Sequence, residues 1–259
     1  MKRSTLILLA GALLGTGTPS RAGPAPQSIL SYHGHPDRNG NFVVAGLTWD
    51  RARSLRLDKD FRPRIAGHVY AQPLYWRAPG SSAAILLLED KVVYPIDAGT
   101  GNEVWKRSLG KSVARSSLTC GNIDPLGVTG TPVIDETTEA IYLDAAVDSP
   151  SGLRHLVFAL SLRDGSLLPG WPVDIADALK GQGQDFVSRD QNQRGALAIL
   201  QGTLYVPFGG HYGDCGQYHG FVVSISLAEP RTVRSWATRG RGGGIWVPGK
   251  KIGNAGAEP

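Results

Sequence analysis

Three short hydrophobic stretches recur at a fixed interval in this 259-residue chain. Val92-Val93-Tyr94-Pro95-Ile96-Asp97, Val157-Phe158-Ala159-Leu160-Ser161-Leu162 and Val222-Val223-Ser224-Ile225-Ser226-Leu227 begin 65 residues apart. A tryptophan follows each of them, Trp105, Trp171 and Trp236, at intervals of 66 and 65. Two landmarks sharing one period mark an internal repeat, and a repeat of this length restricts the chain to units that stack on their neighbours. Upstream of each stretch lies a second apolar run (84–88, 140–143, 203–206), and before that a first (69–75, 128–134, 196–200). Each unit therefore reads as four short strands. Several runs are apolar throughout, as in strands buried on both faces. A helical reading fails on their length and on their Val, Ile, Tyr and Thr content.

The intervening residues suit this reading. Asp97-Ala98-Gly99-Thr100-Gly101 and Arg163-Asp164-Gly165 place glycine where a positive φ is needed and aspartate where a side chain can bond the backbone. The chain has 34 Gly and 17 Pro, which works against long helices. With 41% hydrophobic and 19% charged residues it has the makings of a core and not of a disordered chain. The expected fold class is all-β: a β-propeller of four-stranded antiparallel blades, with three complete repeats and a partial fourth. Trp105, Trp171 and Trp236 are expected to act as wedges between blades. Closed propellers need at least four blades, and the period stops after Gly244-Ile245-Trp246-Val247-Pro248-Gly249. The chain thus reads as an incomplete or truncated propeller, with a natural short form as the alternative. The expected organisation is 1–22 signal peptide, 23–66 N-terminal segment, 67–240 blades, and 241–259 the start of a blade with a tail expected to lack order.

Met1-Lys2-Arg3, the apolar run from Leu6 to Leu14 and the small-residue exit Ser20-Arg21-Ala22 have the form of a secretory signal peptide. That run is too short to span a bilayer. No cysteine follows it, which argues against a lipid anchor, so a periplasmic or secreted location is expected. The 27 Lys and Arg against 22 Asp and Glu give a net charge of +5. Removing Lys2, Arg3 and Arg21 with the signal leaves +2 (24 against 22). The remaining basic cluster from Arg51 to Arg64 is interleaved with Asp50, Asp58 and Asp60, which does not suit a nucleic-acid surface. Cys120 and Cys215, the only cysteines, both lie in Gly-containing loops. In an exported protein they are expected to form a structural disulfide; a catalytic thiol is the alternative.

Asp97-Ala98-Gly99-Thr100-Gly101-Asn102-Glu103-Val104-Trp105 resembles the signature of pyrroloquinoline-quinone (PQQ)-type propeller repeats. The chain is also similar to exported bacterial proteins of that superfamily at four further stretches. These are His68-Val69-Tyr70-Ala71-Gln72-Pro73-Leu74-Tyr75, Gly127-Val128-Thr129-Gly130-Thr131-Pro132-Val133-Ile134-Asp135, Gln191-Asn192-Gln193-Arg194 and Gly243-Gly244-Ile245-Trp246. The resemblance spans roughly residues 28 to 248. It implies a propeller, and two function classes: a non-catalytic exported scaffold or ligand-binding module, or a PQQ-dependent dehydrogenase-like oxidoreductase or a relic of one. Enzymes of the second class hold the quinone against a disulfide between adjacent cysteines and bind calcium. Here no cysteines are adjacent and no dense acidic loop with hard-cation spacing occurs. No cofactor and no catalytic residue is therefore expected. The barrel-assembly lipoprotein of the outer membrane shares this propeller type, but the lipidation cysteine is missing.

Gln193 and Arg194 precede a predicted innermost strand, where side chains are placed to face a central channel, and they are the candidate ligand contacts. His211, Asp214 and His219 are the candidate metal donors, although a histidine pair eight residues apart in a loop carries little spacing information. Partners are expected to be a protein or small molecule, with no nucleic acid and no membrane span, and association through exposed blade faces is foreseen. The glycine-rich stretch Gly240-Arg241-Gly242-Gly243-Gly244 lacks the Lys and Ser/Thr of a phosphate loop.

Overall fold

The computed structural model describes residues 27–77, 80, 82–182, 185–216 and 218–238, together with the backbone of 245–247 and 250–252. The expected signal peptide and most of the 241–259 tail lie outside these residues. The described chain is all-β, with two short α-helices. Contact density divides it into two units. The described part of the smaller one, 43–55, carries a single helical turn, α1 (Trp49–Arg53), whose first turn is capped by the Thr48 hydroxyl accepting from the Arg51 N–H. The larger, 27–42 with 56 onward, contains the sheets.

Each repeat folds as one four-stranded antiparallel meander. The first sheet runs β1 (Leu74–Arg77), β2 (Ala83–Leu88), β3 (Val92–Asp97), β4 (Arg107–Ser108). The second runs β5 (Val133–Asp135), β6 (Ala140–Ser149), β7 (Gly152–Ser161), β8 (Val173–Asp174) and is followed by α2 (Ile175–Leu179). Before the third sheet comes β9 (Gln191–Asn192), which pairs with the far end of β11. The sheet itself runs β10 (Ala198–Leu200), β11 (Thr203–Gly210), β12 (Phe221–Ser226), β13 (Val233–Ala237). A hairpin of β14 (Ile245–Val247) and β15 (Lys250–Ile252) follows.

Two cores hold the sheets face to face. Leu86, Leu88 and Val93 of the first sheet pack with Ile141, Leu143 and Phe158 of the second. The opposite face of the second sheet, with Tyr142, Val157 and Ala159, packs against Leu204, Val206, Phe221 and Val223 of the third. The outer face of the first sheet carries Leu87, Tyr94 and Ile96, packed with Phe61 from the preceding segment.

Structure and sequence pattern part company in three places. The leading halves of the first apolar runs are not strand: β1, β5 and β10 begin only at residues 74, 133 and 198. Their backbone groups bond to the neighbouring repeat instead of a ladder, as in Val128 N–H to the Asp90 carbonyl (3.1 Å) and Leu197 N–H to the Thr131 carbonyl (3.0 Å). The β6–β7 hairpin reaches residues 149 and 152, well past the apolar runs, because a buried polar pair extends it. Finally, Trp105 and Trp171 stand just before β4 and β8, not on them. Single bridges, Ile96 to Glu103 and Leu160 to Leu167, precede each tryptophan, so the last strand is broken around the indole.

The three tryptophans sit differently. The Trp105 indole N–H donates to the Leu162 carbonyl of the second repeat (3.0 Å). Trp171 is buried in the core shared with the third sheet, edge-on to Tyr142 at 5.5 Å. Trp236, on β13, is 64% exposed. Trp105 also explains a turn glycine. Gly165 has φ +70°, and a Cβ there would lie 2.6 Å from the indole. Gly165→Ala is expected to cost about 2–5 kcal/mol, the sum of left-handed strain and overpacking. Urea unfolding measures it, and a loss under about 0.5 kcal/mol, the scale of a neutral surface change, would remove the indole as an inter-sheet contact.

Candidate functional site

The leads of the three sheets meet. Gln72 of the first repeat donates its backbone N–H to the Thr131 hydroxyl oxygen of the second (3.1 Å). The Thr131 carbonyl accepts from Leu197 of the third, and the Thr129 hydroxyl donates to the Gln193 carbonyl. Residues 28–42 run across these leads. Ile29 exchanges backbone hydrogen bonds with Tyr75, the Leu30 carbonyl accepts from Ile134, and the Arg38 guanidinium donates to the Leu197 carbonyl (3.2 Å). Between them lies a cleft of about 560 Å³ lined by Tyr32, Arg38, Tyr70, Gln72, Thr131 and Arg194, among others. That volume is in the range of small-molecule sites. Three of the stretches that carry the family resemblance, containing Tyr70 and Gln72, Thr129 and Thr131, and Gln193 and Arg194, converge here.

Gln193 and Arg194, adjacent in sequence, take different places. Gln193 is 2% exposed and turns inward, its amide donating to the Gly195 (2.5 Å) and Pro207 (3.3 Å) carbonyls. Its Oε1 lies so close to Gly130 that a Cβ there would approach to 1.9 Å. Arg194 is exposed on the cleft wall, with its guanidinium 5.7 Å from the centre of the Tyr70 ring. Gln193 therefore shapes the wall, and Arg194 is available to touch a ligand.

The segment leading to Arg194 is pinned from several sides. Thr119 donates its hydroxyl to Asp190 Oδ1 (2.7 Å). Two buried histidines, His155 and His211, each meet a backbone carbonyl through Nε2: His155 that of Gln191 (3.0 Å) and His211 that of Arg189 (3.1 Å). A carbonyl only accepts, so both Nε2 atoms carry a proton. His155 Nδ1 faces Asp144 Oδ2 at 2.8 Å, and both side chains are 1% exposed. With both ring nitrogens committed, His155 has none left to serve as a general base toward a substrate. Burial alone would lower its pKa, but the Asp144 carboxylate and the Gln191 carbonyl outweigh it and raise it. Burial raises Asp144 against the pull of the imidazolium. His211 is lowered by burial and by the nearby charge of His155. Five buried side-chain atoms of Ser188, Gln191, Asn192 and Gln193 have no protein partner, so this polar segment is held at a cost in desolvation.

The candidate metal donors do not converge. His211 is engaged as above, Asp214 accepts from the Tyr218 hydroxyl (2.8 Å), and His219 lies edge-on to Phe221. Among the described residues no three His, Cys, Asp or Glu side chains gather as a metal site. Cys120 and Cys215 form a disulfide with Cα atoms 5.9 Å apart, tying the 115–124 loop to the loop between β11 and β12. Among the described residues no helix is long and apolar enough to cross a membrane.

The Asp144–His155 pair carried no motif in the sequence. Its only signal is spacing about the Ser149-Pro150-Ser151-Gly152 turn, which sets Ala146 opposite His155 and Asp144 opposite Val157, all on one face. Tyr32 and Arg38 had no signal at all, since they reach the cleft from outside the repeats. No protein-family model matches the chain, and no curated protein matches it.

The two histidines link folding to pH with opposite signs. The raised His155 contributes fully below the free imidazole value of 6.5 and loses that contribution as pH climbs through its folded value. Asp144, also raised, acts in the same direction. The lowered His211 contributes fully above 6.5 and loses its share as pH falls through its folded value. Melting temperature followed from pH 5 to 9 should therefore decline on the alkaline side in the wild type. His155→Gln should flatten that decline and His211→Gln the acid one. Parallel curves for all three proteins would refute the linkage.

Proposed function

We infer that the chain is an exported, non-catalytic ligand-binding module built on the β-propeller plan of the PQQ-repeat superfamily. The observation that carries this reading is the convergence of all three repeat leads on one polar cleft. Propellers gather their innermost strands around a central channel, and three successive four-stranded meanders with stitched leads fit that plan. The disulfide suits an oxidising compartment. The segment beside the cleft is held through the carbonyls of Arg189 and Gln191 by His211 and His155, an arrangement that positions Arg194 for binding.

The oxidoreductase alternative needs a quinone with its calcium ion, and the residues present do not fit that arrangement. The disulfide joins residues 95 apart and not neighbours. The buried carboxylate–histidine pair of Asp144 with His155 is closed on itself. Both mismatches weigh against a redox step at this cleft.

The test is a thermal-shift screen of the purified exported protein against a panel of small metabolites, with PQQ and calcium as a separate arm. The expected outcome is a stabilising metabolite whose effect Arg194→Gln removes, and no dye-linked dehydrogenase activity with the quinone. Quinone-dependent turnover, or a panel without any stabilising member, would overturn the module reading.

A further inference from the structure

We propose that the cleft binds an oxyanion, the carboxylate or phosphate group of a small metabolite, held between Arg38 and Arg194. This deepens the binding-module reading and rests on it. Several acceptors at and beside the cleft are already engaged. The Thr131 hydroxyl oxygen accepts from the Gln72 backbone (3.1 Å), Gln72 Oε1 accepts from His33 N–H (3.2 Å), and the Leu197 and Gln193 carbonyls accept from Arg38 and Thr129. Donors remain to face a ligand: the Thr131 hydroxyl proton, the Gln72 amide N–H groups, two guanidinium groups, and the hydroxyls of Tyr32 and Tyr70, which can also accept.

Charge points the same way. No Asp or Glu is among the residues lining the cleft. Among the described residues neither Arg38 nor Arg194 forms an ion pair, whereas Arg154 and Arg163 do, with Asp174, Asp177 and Glu139. Arg38 spends one amino group on the Leu197 carbonyl, which fixes its direction and leaves the rest of the fork. Arg194 is oriented by the Tyr70 ring, a contact that positions the cation without consuming its N–H groups. Thr131 is 6% exposed, so its hydroxyl is a buried, already oriented donor at the base of the cleft. A cleft with two guanidinium groups, oriented N–H and O–H donors and no carboxylate in its lining suits an acceptor-only anion.

Isothermal titration at low salt tests this, with citrate and inorganic phosphate as separate probes and glucose as the neutral one. Citrate or phosphate should bind, the tighter of the two naming the source of the oxyanion, and affinity should fall with added sodium chloride. Arg194→Gln and Arg38→Gln should each weaken binding about tenfold or more, as for loss of a charge-assisted hydrogen bond. Lys180→Gln, which removes an exposed charge elsewhere, should change it less than about twofold, as expected of a screened surface charge. Arg38→Lys, which keeps the charge but not the fork, separates recognition from folding and should still lose affinity. Unchanged binding in both glutamine variants overturns the proposal. So does binding of glucose alone, although the module reading would then stand. If the folded wild type takes none of the probes and no member of the metabolite panel, both readings fall.

Discussion

Thr131 is the residue on which the arrangement of the three sheets turns. Strands that pack face to face share side chains but no ladder, so nothing in sheet hydrogen bonding alone fixes one meander against the next. Here the fixing is done by polar backbone groups at the strand leads. The Thr131 hydroxyl receives the Gln72 amide from one neighbour, and its carbonyl receives the Leu197 amide from the other. Those leads leave the strand ladder before residue 133, and buried backbone groups must find partners somewhere. Finding them in the adjacent repeat converts a sterically permitted stack into a specified one. The cleft is a by-product of the same geometry, because groups that bond sideways cannot also fill the space in front of them.

The Asp144–His155 pair solves a related problem one layer deeper. Residues 188–193 form a polar segment with little ladder of its own, since β9 pairs over only two residues. Without side-chain anchors it would be a loop, and Arg194 would be carried on a mobile tether. The protonated imidazole of His155 on the Gln191 carbonyl ties that segment to the second sheet. A rigid second layer of this kind is what a binding residue needs if its geometry is to be defined before the ligand arrives.

The meanders were legible in the sequence because they obey a local rule. Short apolar runs and a following tryptophan recur at intervals of 65 or 66 residues, with turns containing Asp and Gly in the first two repeats. The position of Trp105 was less legible, since a break in the last strand leaves no mark in composition. The site was legible only in part. Gln193 and Arg194 stood out as polar residues ahead of an inner strand, but nothing local says that one turns in and the other out. That difference depends on Gly130, which lies nearly one repeat earlier and admits the Gln193 amide by lacking a side chain. Asp144 with His155, and Arg38 with Leu197, are likewise pairings between separate stretches with no periodic trace.

Strand alternation carries one more piece of information. In β2, in β3 and in β6 as far as Ala146 nearly every residue is buried, as both faces of the first two sheets are covered. In β11 and β12 buried and half-buried residues alternate. Register places Tyr205 opposite Ser224, and Pro207 opposite Val222 and through it Trp236, so these share the outward face of the third sheet. The tryptophan that is an interior wedge in the second repeat is therefore a surface residue in the third, with the same spacing in the sequence. The same spacing from the preceding apolar run yields different burial because burial is decided by what packs on the residue and not by its place in the repeat.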